Sequence, residues 1–208
     1  MQYRILYDYD QEILKQIAKM HYDSLKHLSF LTLFGQEFLV QIYKLILVHN
    51  LGFFSIAYKE NEIFGFALLS FDNTKLMPTL LKHPWRFMFL SIPAICKHPK
   101  ILSKIIRTLF YFNDTKSDTA HIKPEFLAQV TKPGEISKGI GTQVIKNFES
   151  EYARKGIEQY KFAIAQSNMD SANFFERRGF TVMRIYNFSG TMWNIYVKCL
   201  NIDLPSNE

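Results

Sequence analysis

The stretch EFLAQVTKPGEISKGIGTQVIKNF, residues 125–148, decides how this chain folds. Glu125 to Thr131 is apolar and rich in strand-forming residues, so it predicts a β-strand. Lys132 to Lys138 carries Pro133 and Gly134 and predicts a loop. From Gly139 a helix is expected to about Arg154, with Val144, Ile145, Phe148 and Tyr152 at helical spacing on its core face. Lys155-Gly156 stops it. Gln159 to Ala165 predicts the next strand. The following stretch, NMDSANFFERRGF (residues 168–180), predicts a short helix from Ser171 to Arg178, capped by Asp170 and closed by Gly179. Two final strands, Phe180–Phe188 and Thr191–Leu200, are expected to pair across Ser189-Gly190.

Toward the N-terminus, Tyr3 to Tyr7 reads as a first strand. Gln11 to Lys26 reads as a helix, with Ile13, Leu14, Ile17, Met20 and Leu25 recurring at its period. Gly35 opens a second helix that Asn50 and Gly52 end. Phe53–Tyr58 and Ile63–Phe71 read as a hairpin around Lys59-Glu60-Asn61-Glu62. The expected order is β-α-α-β-β, an insertion, then β-α-β-α-β-β. That is an α/β fold with a mixed sheet, one domain over 1–208 interrupted at about 74–120.

The insertion holds the chain's charge imbalance. The 208 residues carry 25 Lys and Arg against 19 Asp and Glu, a net charge of +6. Lys75, Lys82, Arg86, Lys97, Lys100, Lys104 and Arg107 fall between Asn73 and Asn113, where there is no acid. Without that stretch the charges nearly cancel. Diffuse basicity, the mark of a nucleic-acid binder, is therefore not expected. A local anionic partner is: a phosphate-bearing substrate, or an anionic membrane met through 75–107. Pro78, Pro84, Pro93 and Pro99 are expected to chop the segment into short helices. The last of these, Pro99 to Phe112, reads as amphipathic, and Asn113 to Ala120 as a connector.

Cys96 and Cys199 stand far apart, which gives neither a disulfide framework nor a metal-ligand cluster and fits a reducing, cytoplasmic setting. The longest uncharged run, Leu45 to Tyr58, falls short of the roughly 20 apolar residues of a spanning helix.

Glycines at the start of a helix remove side chains that would block close approach. The first-turn N–H groups are unpaired there, and with the helix dipole they favour a phosphate. Lys138 adds a positive charge. The segment lacks the Gly-Lys-Ser/Thr ending of a Walker loop. It also lacks the third glycine of a dinucleotide fingerprint, since Val144 stands in its place.

Lys138-Gly139-Ile140-Gly141, followed by a strand and then Asn168-x-x-x-Ala172-x-x-Phe175-x-x-x-Gly179-Phe180, resembles the GNAT superfamily of acyl-CoA-dependent N-acetyltransferases. Its signature is Gln/Arg-x-x-Gly-x-Gly/Ala, then Asn…Ala…(Phe/Tyr)Tyr…Gly-Phe. The resemblance spans the chain apart from the basic insertion. It implies a splayed mixed sheet flanked by helices, with the pantetheine arm of acetyl-CoA between the strands at 125–131 and 159–165. It implies that backbone groups near Ala128 to Val130 hold that arm and the thioester carbonyl. The N–H groups of Ser137, Lys138, Gly139, Ile140, Gly141 and Thr142 would hold the pyrophosphate, and Asn168 would touch the cofactor. Two positions depart from the pattern. Ile136 replaces the Gln/Arg, and Phe175 replaces a tyrosine that in many members protonates the leaving thiolate. A thiol has a pKa around 8.5, so that proton is helpful but not obligatory.

The resemblance implies acetyl transfer to the primary amine of a small acceptor. Members with similar long inserts accompany cell-surface polysaccharide assembly, which points to an amino sugar or nucleotide-linked amino sugar. Transfer needs a neutral amine and so a base. Glu125, at the head of the strand leading to the cofactor loop, is the candidate. The alternative reading of it is an exposed strand-end carboxylate. His21 and His27 lie near the expected acceptor side, although a histidine on a helix surface is ordinarily solvated. His121 precedes Glu125 by four residues. Tyr186 or Tyr196 in the last hairpin are candidates to replace the missing acid, and Trp193 could stack on a sugar. An acyl-CoA-binding protein without turnover and a peripheral membrane module are the alternatives.

Overall fold

The computed structural model describes residues 1–26, 29–97, 99, 119–136, 138–188 and 190–200. The chain enters through strand β1 (Gln2–Leu6) and passes into helix α1 (Gln11–Leu25). Asp10 caps α1, its carboxylate accepting from the N–H groups of Glu12 and Ile13 at 3.0 Å each. A 3-10 turn (Phe30–Phe34), which the sequence pattern does not announce, leads to Gly35 and helix α2 (Gln36–Val48). Strands β2 (Gly52–Lys59) and β3 (Glu62–Ser70) form the expected hairpin.

Beyond β3 the chain leaves the sheet. Its described parts there are a 3-10 turn (Asn73–Lys75), helix α3 (Leu76–Leu81) and helix α4 (Pro84–Lys97). The prolines break less than expected. Pro84 opens α4, where its missing N–H costs nothing. Pro78 lies in the first turn of α3, and Pro93 sits inside α4. The amphipathic helix expected at 99–112 and most of the connector lie outside the described residues. Helix α4 docks on α2 through aromatic packing, with Phe87 edge-on to Phe38 at 5.3 Å.

The rest alternates as expected: β4 (Glu125–Thr131), α5 (Ile140–Arg154), β5 (Gln159–Ala165), α6 (Met169–Glu176), β6 (Thr181–Phe188) and β7 (Thr191–Cys199). Asn168, rather than Asp170, caps α6, accepting from the Ser171 N–H at 3.2 Å. Seven strands form one sheet in the order β1-β2-β3-β4-β5-β7-β6, with only the β4–β5 contact parallel.

Side-chain alternation gives the sheet two cores. Phe54, Ile56, Phe66, Leu68 and Val130 face α1 and α2. Phe53, Ala57, Ala67, Leu69, Phe126 and Phe162 face α5 and α6. The apolar stripe of α5 (Ile140, Val144, Ile145, Phe148, Tyr152) is buried against the second set, each side chain contributing about 1.5–3 kcal/mol. Gly65 permits the close fit: a Cβ there would come within 2.9 Å of the Ile140 side chain. Among the described residues, no helix is long and apolar enough to cross a membrane.

Candidate active site

Strands β4 and β5 are each seven residues long, yet they pair at a single position, Glu125 with Lys161. The Lys161 N–H donates to the Pro124 carbonyl at 3.1 Å. Past that rung β4 keeps its partner β3 and β5 keeps its partner β7, so the two strands part. The sheet therefore opens into a wedge with Glu125 at its vertex and Thr131 at its mouth. A bulge where Leu68 pairs with Ala128 and Leu69 with Phe126 leaves Leu127 as the extra residue. Such a residue keeps unpaired backbone groups.

The start of α5 lies over the mouth. Gly139 caps it in the left-handed region (φ +81°), with no side-chain cap, and a Cβ there would meet nothing within 4 Å. Gln143 N–H is the donor that bonds Gly139 carbonyl, at 3.0 Å. The N–H groups of Ile140, Gly141 and Thr142 come before that ladder begins. Gly141 gives the helix start its present fit on β4: the Gln129 amide donates to its carbonyl at 3.1 Å, and a Cβ would lie 2.7 Å from that nitrogen and displace it. Among the described residues the buried Gln129 Oε1 has no hydrogen-bond partner. Lys138 is exposed and paired with Glu135 at 3.0 Å, an exposed contact that exchanges readily. Ile136 is exposed, and Ser137 lies outside the described residues.

Arg178 is the cation fixed beside this cradle. It donates to the Thr142 hydroxyl at 2.5 Å and to the Phe174 carbonyl at 2.6 Å. Its guanidinium carbon stands 3.6 Å over the Phe174 ring. The sequence reading missed it because Arg178 falls in a helix-end pattern, and only folding brings that end against Thr142.

At the vertex Glu125 is buried, not the exposed strand-end carboxylate of the alternative reading. Asn73, from the first turn beyond β3, donates its side-chain amide to the Glu125 carboxylate. Burial pushes the Glu125 carboxyl up to about 7, against the opposing pull of Lys161 and the Asn73 bond. Tyr152, whose hydroxyl donates to the Ser70 carbonyl at 2.8 Å, packs nearby, and Ser70 is the β3 residue opposite Glu125. Asn73 was not singled out from sequence, where it reads as an ordinary turn residue.

Phe175 fills the α6 side of the vertex. Its ring lies 4.5 Å from Phe162 on β5 and 5.7 Å from Phe126 on β4. Tyr186 is on the edge strand β6, with β7 between it and β5, so the fold does not bring it to the wedge. Tyr196 is buried on β7, donating to Glu176 at 2.8 Å. Asn168 uses its side chain as the α6 cap, and Trp193 on β7 pairs with Ala165 on β5. His21 is not solvated. It is buried among α1, α2 and β3, with Nδ1 bonded to the Tyr43 hydroxyl at 2.6 Å, and desolvation pulls it down to about 4. His121 is exposed, and His27 lies outside the described residues.

This fold has clear counterparts among solved structures. The chain has the GNAT acetyltransferase fold. A ribosomal-protein-alanine N-acetyltransferase of Brucella melitensis superposes over 96% of this chain and 100% of its own, with a TM-score of 0.62 and 12% identity. The PaiA N-acetyltransferase of Thermoplasma acidophilum, solved with coenzyme A, covers 96% and 99% at a TM-score of 0.58 and 17% identity. The yncA protein of Salmonella typhimurium, solved with its cofactor acetyl-CoA, covers 99% and 98% at 0.59 and 12%. No protein-family model matches the sequence, and no curated protein matches it significantly. What the GNAT fold provides here is the wedge, the bulged strand and the helix start at its mouth.

Proposed function

We propose that the protein is an acetyl-CoA-dependent N-acetyltransferase that transfers its acetyl group directly to a small primary amine. The observation that carries this reading is the single-rung contact between β4 and β5. Among the described residues it leaves one edge of β4 without a strand partner over Phe126 to Thr131, and unpaired strand edges bond extended chains carrying amides. The pantetheine arm has two such amides. Backbone groups of Ala128 and Val130 hold it, and the bulge at Leu127 adds donors for the thioester carbonyl. The diphosphate sits on the N–H groups of Gly139, Ile140, Gly141 and Thr142, with Ser137 and Lys138 at its rim.

Glu125 is the base in this reading. It stands two to three residues down β4 from the bulge, roughly 7–10 Å, a span that the acceptor together with a short chain of waters crosses. A carboxylate near pKa 7 is matched to accepting a proton at neutral pH. The amine nitrogen bonds the acetyl carbon, its proton passes to Glu125, the carbon–sulfur bond breaks, and the thiolate leaves with the bond's electron pair. Phe175 offers no proton to it, so the thiolate is protonated from solvent. The supporting comparison is that proteins of this fold are solved with coenzyme A or acetyl-CoA.

For the acceptor we propose an amino sugar, free or nucleotide-linked, the phosphates of the linked form meeting the acid-free basic segment. The test is coenzyme A release from acetyl-CoA across a panel of amino sugars, polyamines and peptide amines. Turnover on peptides alone would contradict the acceptor, and binding without turnover on any amine would contradict the enzyme. A second reading adds membrane contact to the same protein: Trp85, Phe89 and Ile92 form an exposed apolar stripe on α4 within the basic segment. Salt-sensitive sedimentation with vesicles containing phosphatidylserine would support it, and none at low salt would end it.

A further inference from the structure

We propose that Arg178 is a direct ligand of the coenzyme A diphosphate and stands in for the cation that Ile136 cannot provide. The inference rests on the reading just given and names a residue for its phosphate site.

The guanidinium is parked where its charge has no counterpart. The N-terminus of α5 carries the positive end of the helix dipole, equivalent to about half an elementary charge. Arg178 is hydrogen-bonded to Thr142 in that first turn, so two positive fields meet. Among the described residues no carboxylate pairs with Arg178, and burial together with neighbouring Arg177 further disfavours its charge. Its two acceptors, the Thr142 hydroxyl and the Phe174 carbonyl, are neutral, and among the described residues its buried Nε has no partner.

Three contacts nonetheless hold it in one orientation. The Thr142 and Phe174 bonds fix the two terminal nitrogens, and the Phe174 ring supports the plane from below. That ring also reaches the cradle, its edge 3.6 Å from the position a Gly141 Cβ would occupy. Such a preorganised fork, with N–H groups left over, suits the paired oxygens of a diphosphate. An anion there satisfies the helix end and the guanidinium together. Lys138, tied to Glu135 at the surface, offers only a mobile charge.

The test is calorimetric titration of the full chain with coenzyme A and with 3′-dephospho-coenzyme A, for wild type, Arg178→Lys and Arg178→Gln. Loss of one charge-assisted contact is expected to weaken both ligands roughly 10- to 100-fold in Arg178→Gln. Arg178→Lys is expected to lie between, keeping the charge and losing the fork. The fall in wild-type affinity with added salt is expected to be shallower in Arg178→Gln. Melting temperatures of the three proteins report whether the fold is intact, and the salt slope separates lost charge from lost structure. Unchanged affinity in Arg178→Gln overturns the role of Arg178 while leaving the enzyme reading standing. A loss seen with coenzyme A but absent with the dephospho form overturns the diphosphate assignment. Failure of wild type to bind either ligand overturns this inference together with the reading beneath it.

Discussion

Glu125 and Lys161 form the single residue pair through which β4 is registered with β5, and the first of them is buried. The vertex of the wedge is thus also the place where a carboxylate is held out of water. Its charge is offset by the Lys161 ammonium, which donates to the Thr119 carbonyl at 2.9 Å, and by the Asn73 amide. A strand junction needs no carboxylate for its hydrogen bonds, which the backbone supplies.

Replacing Glu125 by glutamine tests the base directly. Coenzyme A release at neutral pH is expected to fall about 100- to 10,000-fold while cofactor affinity is retained. The same variant is expected to unfold at higher denaturant than wild type above pH 7, because it no longer buries a charge. Wild-type turnover in Glu125→Gln would remove Glu125 from the mechanism.

Asn73 tunes that carboxyl. Its bond favours the charged form, so Asn73→Ala is expected to push the Glu125 pKa further up. The acidic limb of the pH–rate profile should move to higher pH, with the plateau rate less affected. An unmoved limb would show that Glu125 does not set it.

Two buried groups make opposite contributions to stability across the same pH range. Glu125 titrates near 4.5 when unfolded and near 7 when folded, so the native state holds the extra proton and stability falls as pH rises from about 4.5 to 7. His21 titrates near 6.5 unfolded and near 4 folded, so the unfolded state holds the extra proton and stability falls as pH drops from about 6.5 to 4. The wild-type profile is expected to be flat between about 4.5 and 6.5. His21→Asn should expose the falling slope of Glu125, and Glu125→Gln the rising slope of His21, in denaturant midpoints measured across that range.

Glycine substitutions separate the roles of the cradle. Gly139→Ala places a Cβ at φ +81° and is expected to cost about 1–2 kcal/mol of stability, with open space around it. Gly141→Ala forces the Gln129 amide to move and is expected to weaken coenzyme A binding more than it lowers the melting temperature. Equal affinity in Gly141→Ala and wild type would argue against close packing of the helix start on β4.

Much of this architecture is legible in the chain. The strands at 125–131 and 159–165 and the helix from 140 to 154 follow from period and turn chemistry, which are local. The site is less legible because it is assembled from distant pieces. Burial of Glu125 depends on Asn73, 52 residues away, and the place of Arg178 depends on Thr142, 36 residues away. His21 looked solvated because one helix face cannot reveal that α2 covers it with Tyr43. Pro93 reads as a break because its missing N–H is a local signal, whereas the packing of Phe87 on Phe38 that docks α4 is a contact between distant segments. Tyr186 alternates correctly for a strand, but alternation does not say which strand will be the sheet's edge.

Amide hydrogen exchange with and without coenzyme A tests the central claim most directly, because it reports position as well as binding. Ligand-induced protection is expected in peptides covering Phe126–Thr131 and Lys138–Val144, with β1 and β6 unchanged. Protection confined to other segments, or none at saturating coenzyme A, would mean that the parted strands and the bare helix start are not where the thioester carrier lies.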